Sequence, residues 1–366
     1  MSFRVASLVA AAAAALFAGG ASAQQKTLNI YNWSDYIGET TIADFEKETG
    51  IKVNYDVYDG NETLEAKLLA GKAGYDLVVP SSQPFLSRQI KAKVYQKLDK
   101  SKIPNLKNLD PELMRAVQGA DPNNEHAVIY QWGTDGLGYN VDKVKQLLGE
   151  NAPLDSYDLL FKKENVEKLA SCGVTILDAP TDVLPIALNY LGLDPNSEKA
   201  EDLAKAEALI MSIRPYVKYF HSSQYINDLA NGDICLALGY SGDILQAQAR
   251  AVEAKNNVNV AYALPKEGTM MWFDTAAIPA DAPNPDAAHQ FINFILKPEV
   301  MAGISGYVAY ANAVPESWKL LPEELRSDPN IFPPEELRRK LFTVKEASQA
   351  FERQRTRTWT KIRTGQ

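Results

Sequence analysis

Between Leu28 and Pro80, three short apolar runs alternate with two helical patterns, and this order limits the fold more than any other feature of the chain. The first run is Leu28-Asn29-Ile30-Tyr31. After it, Ile42 and Phe45 lie three apart on one helix face, and Gly50 supplies a stop. Ile51, Val53, Tyr55 and Val57 then alternate with Lys52, Asn54, Asp56 and Tyr58, which predicts a strand with one face buried. Beyond the Asp59-Gly60-Asn61 turn, Leu64, Leu68 and Leu69 make a second helix face that ends at Gly71. Asp76-Leu77-Val78-Val79-Pro80 is apolar on both faces, as in a strand covered from two sides. Strand, helix, strand, helix, strand predicts a parallel sheet with crossover helices.

A second α/β block is expected from about Tyr139 to Val258. It holds helices near Asp142–Leu148, Glu164–Ala170, Ala200–Ile213 and Ser222–Asn231, and closes on the strand Ile234–Leu238. Gly133, Gly136 and Gly138, inside the extended segment that starts at Ala127, suggest a bend or a crossover between the blocks. Val258–Tyr262 reads as a strand returning to the first block, and Ala276–Pro279 as a further strand. A chain of 366 residues has room for two such units, since single cores rarely grow beyond ~250–300 residues.

The first 23 residues belong to neither block. Arg4, the apolar run Val5–Ala18 and the small-residue site Ala21-Ser22-Ala23 read as a secretory signal peptide, so the mature protein is expected to be exported and to start near Gln24. No cysteine lies near the cleavage point, which argues against a lipid anchor, and no later run approaches the ~20 apolar residues of a membrane span. Loss of Arg4 takes the formal charge from −8 to −9. That balance argues against nucleic acid and permits a cationic ligand. Cys172 and Cys235 form an even pair, which in an oxidising compartment suggests one disulfide; two buried thiols are the alternative. The basic stretch after Pro333 reads as a solvated helical face, with docking to an acidic partner as the alternative.

The loops after these strands carry the chemistry. Trp33-Ser34-Asp35-Tyr36 follows the first strand, in the place where α/β folds position ligands. Tyr240-Ser241-Gly242-Asp243 follows the Cys235 strand, and Trp272-Phe273-Asp274 precedes the Ala276 strand. Asp182 and Tyr310 sit in comparable places. Ring faces attract cations, and carboxylates accept charge-assisted hydrogen bonds from ammonium groups. Such loops converging from both blocks fit an extended cation with ammonium ends and a methylene middle. Helix caps and scattered core aromatics are the plainer reading of the same residues. Enzyme signatures are thin. His126, His221 and His289 are scattered without metal-ligand spacing, and no nucleophile elbow, phosphate loop or dinucleotide fingerprint is present. Neither a metal nor a cofactor is expected.

Tyr31–Tyr36, Asp76–Ser81, the long segment Tyr219–Cys235 and the closing Arg357-Thr358-Trp359-Thr360-Lys361 resemble the periplasmic polyamine-binding proteins, the putrescine and spermidine receptors of ABC importers. The likeness covers the whole mature chain. It implies a periplasmic-binding-protein-like (type II) α/β fold: two lobes with hinge crossovers and a ligand cleft between them. Lobe 1 would comprise 24–134 plus about 259–310, and lobe 2 about 135–258 plus about 311–366. It implies a monomeric periplasmic protein of a Gram-negative bacterium that binds a polyamine, catalyses nothing and delivers its ligand to an importer permease. Carried over by residue, Trp33 and Tyr36 would line the cleft and Ser34 and Asp35 would meet one amine. Ser81 would add a polar contact, and Asp243 and Asp274 would grip the other ammonium. Tyr240, Trp272 and Tyr310 would sandwich the methylenes, and Asp182 would take the distal amine. Putrescine receptors usually have Glu at the Asp182 position, often Trp at Tyr240 and commonly Phe at Trp272. Asp182 and Trp272 lean toward spermidine. One residue around Ser82-Gln83-Pro84 is extra. Two other functions stay open from the residues alone: an exported amine- or glycan-acting enzyme using Asp243 or Asp274, and a polyamine sensor of the same fold.

Overall fold

One fourteen-residue strand, Ala127–Asn140, buried along its whole length, ties the molecule together. The computed structural model describes residues 26–366, so the expected signal peptide lies outside the described residues. In chain order the strands are β1 (Thr27–Trp33), β2 (Lys52–Tyr58), β3 (Leu77–Val78), β4 (Ala127–Asn140), β5 (Val174–Ile176), β6 (Tyr219–Phe220), β7 (Leu236–Tyr240), β8 (Val260–Ala263), β9 (Met271–Ala277) and β10 (Ala311–Asn312). They form one sheet in the order β2-β1-β3-β9-β4-β7-β5-β6, with β8 and β10 also paired to β4.

The two ends of β4 belong to different halves of this sheet. Its first part, Ala127–Thr134, pairs antiparallel with β9, and Gln131–Trp132 pairs with β10. Its second part, Asp135–Tyr139, pairs antiparallel with β7, and Leu137–Asn140 with β8. In the first half β1, β2 and β3 run parallel, as their alternation with helices predicts. In the second half β5 runs parallel to β6 and β7. The first crossover helix, Thr41–Thr49, buries Phe45 against Phe291 and Phe294 and ends at Gly50, whose φ of 71° places it in the left-handed region.

Three expectations change. Val57 is 51% exposed, because β2 is an edge strand with only β1 beside it. The glycines of β4 lie where it crosses from the first half to the second, at Thr134–Asp135, as the crossover reading has it. A Cβ at Gly133 would stand 2.8 Å from the Trp272 ring and one at Gly138 2.7 Å from Ile244, so these positions are bare because side chains lie on the backbone there. Trp272 and Asp274 lie within β9 rather than in a loop before a strand at Ala276. The strand near Val258–Tyr262 does not return to the first half, since β8 pairs with the second part of β4. Ala311–Asn312 in turn remains with the first half. Only later does the chain reach the helix Gln349–Thr364, which packs on the second half through Thr358 to Glu207 and Trp359 to Asp178.

Cys172 and Cys235 are bonded, with Cα atoms 5.5 Å apart. The bridge lies at the starts of β5 and β7, and both strands run from it toward the centre of the molecule.

Candidate ligand-binding site

The parallel strands of both halves end facing the same space. β1 and β2 end in register at Trp33 and Tyr58, whose rings are 4.7 Å apart. β7 ends at Tyr240, and the segment after β5 leads to Asp182 in the first turn of the helix Pro180–Tyr190. Between them lies a cavity. Side chains project into it from ends of parallel strands and the helix turns that follow, where α/β sheets leave a crevice.

Its walls are aromatic. Trp33 approaches Tyr240 at 6.4 Å between ring centroids, Tyr240 approaches Trp272 at 5.8 Å, and Trp272 approaches Tyr310 at 5.4 Å. Tyr36 continues the series edge-on to Tyr310 at 5.1 Å. Trp272 and Asp274 reach the same cavity because alternate residues of β9 share a face.

Three buried carboxyl groups sit among these rings, and a fourth, the partly exposed Asp59, lines the cavity as well. Asp243 accepts hydrogen bonds from the Tyr310 and Tyr225 hydroxyls, each at 2.7 Å. Asp274 accepts one from Ser81 Oγ at 2.6 Å, and that hydroxyl in turn accepts one from Asn61. Asp182 accepts one from the Tyr240 hydroxyl at 3.1 Å. Burial pushes the Asp243 and Asp274 acids up to about 7, and their hydroxyl donors restore the ionised form only in part. Asp182 is raised to about 6, chiefly by burial. No lysine or arginine lines the cavity among the described residues. The site therefore holds more acid than it can ionise by itself, and an entering cation would favour the ionised forms.

Trp33, Ser34, Tyr36, Ser81, Asp182, Tyr240, Asp243, Trp272, Asp274 and Tyr310 all line this space. Asp35 does not. Its φ of 53° turns the side chain outward to the rim, where its carboxylate meets Arg250 at 2.5 Å. Nor does it cap the following helix, whose N-cap is Thr40. His221 is satisfied as a helix-start residue, its Nδ1 accepting from the Ser223 and Gln224 backbone N–H groups.

Several lining or supporting residues are absent from the sequence reading. Tyr58 was accessible to it, because parallel strands that start together end together, and the end of β2 had to lie beside Trp33. Tyr225 lies within the specific Tyr219–Cys235 segment, but its hold on Asp243 depends on packing. Gln83, within the Ser82-Gln83-Pro84 stretch where one extra residue is expected, also lines the cavity.

The comparisons with known proteins agree with this geometry. A family model described as bacterial extracellular solute-binding protein matches residues 40–333. The chain is 58% identical over 359 residues to the putrescine-binding periplasmic protein of Escherichia coli (strain K12), covering 98% of this chain and 97% of that one. It is 42% identical to a putrescine/agmatine-binding protein of Pseudomonas aeruginosa, with 95% of each chain covered. The spermidine/putrescine ABC transporter substrate-binding protein of Streptococcus pneumoniae superposes with a TM-score of 0.73 at 28% identity, over 93% of this chain and 99% of that one. The Treponema pallidum lipoprotein Tp0655 superposes with a TM-score of 0.77 at 27% identity, over 93% and 100%. The fold is that of the type II periplasmic binding proteins. A family match across most of the chain, joined to a cavity built at the strand ends of two sheet halves, makes this chain a member of the bacterial extracellular solute-binding proteins.

Proposed function

We propose that this protein is a periplasmic polyamine receptor that captures a diamine or triamine between its two halves and presents it to an ABC importer. One observation carries the reading: three buried carboxyl groups, with no basic side chain among them, surround a cavity walled by aromatic rings. A ligand with ammonium groups at its ends and methylenes between them supplies the missing charge and fits the rings. Asp243 and Asp274 take one end and Asp182 the other. The polyamine-binding relatives support the ligand class, and their names as binding proteins support binding without turnover.

The lobes that close on the ligand follow the strand pairing. Lobe 1 is built on β1–β3, the first part of β4, β9 and β10, and lobe 2 on the second part of β4, β5–β8 and the helix Gln349–Thr364. The crossings lie at Thr134–Asp135, between β8 and β9, and between β10 and that last helix. Closure shifts the equilibrium because the ligand touches both lobes only in the closed form. The receptor acts as a monomer without a membrane anchor. Native mass spectrometry of protein isolated from the periplasm without denaturation tests this. A one-to-one adduct with the mass of a polyamine is the expected result. Protein that carries none, and acquires none from a polyamine mixture, would contradict it.

A further inference from the structure

Asp135 stands on β4, fully buried, one layer behind the cavity wall. Its Oδ1 accepts the Trp272 indole N–H at 3.0 Å, while its Oδ2 is buried with no hydrogen-bond partner among the described residues. A buried carboxyl with one orphaned oxygen is costly and calls for a use. Gly133, two residues earlier, completes a seat for the indole: it pairs directly with Trp272, and a Cβ there would stand 2.8 Å from Cζ2 and 3.0 Å from Cη2. The indole is thus held by its N–H at Asp135 and by its six-membered ring on bare backbone.

Trp272 occupies the middle of the cavity. On one side it meets Tyr240, which donates to Asp182; on the other it meets Tyr310, which donates to Asp243. An indole whose N–H donates to a carboxyl group is more electron-rich, and its ring surface attracts a cation more strongly. Burial, and after it the Asp182 carboxylate, push the Asp135 acid well above the usual range.

We infer that Asp135 is a positioning residue for Trp272 that makes the middle of the cavity select a central ammonium, and hence a triamine over a diamine of equal length. This rests on the polyamine reading above. The test compares spermidine with 1,8-diaminooctane, which has the same number of chain atoms but a methylene in place of the central nitrogen. Wild type should prefer spermidine by about tenfold or more. Asp135→Asn keeps an acceptor for the indole but removes the group able to ionise when an ammonium lies over the ring. It should cut that preference several-fold and leave 1,8-diaminooctane binding within about twofold, in protein of unchanged thermal stability. Trp272→Phe should reduce the preference as much, and adding Asp135→Asn to it should change nothing further, since the carboxyl acts through the indole. Binding of both amines with a ratio unmoved by Asp135→Asn, or a second loss when it is added to Trp272→Phe, would overturn the inference alone. Binding of neither amine to wild type would overturn the receptor reading with it.

Discussion

Arg250 reaches from the second half of the sheet to the Asp35 carboxylate in the first half, Nη2 to Oδ1 at 2.5 Å, while its Nη1 holds Asn227 at 2.7 Å. The pair spans the rim of the cavity, and neither residue lines it. Partly exposed pairs contribute about 0.2–1 kcal/mol, so Arg250→Ala and Asp35→Ala should each weaken polyamine binding by less than about fivefold. The loss should appear as faster dissociation in stopped-flow measurements and should shrink in high salt. The double variant should match either single one.

Asp243→Ala should cost far more than Asp35→Ala. It removes the carboxylate proposed to face one ammonium and leaves the Tyr225 and Tyr310 hydroxyls without their acceptor. Losing one partner of a buried charge pair costs about 3–5 kcal/mol, or more than a hundredfold in affinity. Calorimetric titration of the two variants side by side checks the ranking, and equal losses would contradict it.

Binding should strengthen as pH rises. The Asp243 and Asp274 acids stand at about 7, above the ordinary carboxylate value, so both hold protons in the free protein at pH 6. A polycation must displace them, and affinity should fall by up to about tenfold for each pH unit of acidification and each proton released. The free protein should show the opposite slope. A carboxyl whose folded pKa is raised binds more protons folded than unfolded, so its contribution to stability is fully present below about pH 4 and is lost as pH rises to about 7. The melting-temperature increase caused by polyamine should therefore widen from pH 5 to pH 8. A constant increase would show that these two groups do not titrate with binding.

Tyr225 lines no part of the cavity, yet it donates to Asp243 and accepts the Tyr240 backbone N–H at 2.9 Å. Tyr225→Phe should weaken binding by about tenfold, the equivalent of one hydrogen bond to a charged group, while the fold survives. Parallel titration and far-UV circular dichroism separate the two effects.

Removing the Cys172–Cys235 bridge should cost stability and spare binding. It lies at the start of β7, and Tyr240 at the strand's end is about 16 Å away along the chain. Its separation of 63 residues corresponds to about 4 kcal/mol in the chain-entropy view. The double serine variant should melt at a clearly lower temperature and keep its dissociation constant within about twofold.

The legible part of the site follows from periodicity. Apolar runs mark the strands, and residues just past a strand's end face a crevice, so Trp33, Tyr240, Asp243 and Asp182 could be picked out. Three things were hidden. The sign of one φ sends Asp35 outward although its neighbours face in. Strand membership of Trp272 and Asp274 was masked because the polar Asp274, buried beside Ser81, breaks the apolar run. The use of Asp135 depends on pairing between β4 and β9, segments well over a hundred residues apart in sequence. The halves themselves were readable as two α/β blocks. The first change of halves, at Thr134–Asp135, falls among the glycines read as a crossover; the later ones were hidden, because β8 and β10 carry too few residues to show which neighbour they pair with.

The most direct test is calorimetric titration of unfolded and refolded protein with putrescine, spermidine and agmatine, alongside an Asp243→Ala, Asp274→Ala double variant. At least one amine should bind one-to-one, without turnover, with a dissociation constant below about 100 μM, and the double variant should bind none in that range. No binding to refolded wild type, or binding that survives the loss of both carboxylates, would contradict a polyamine site in this cavity.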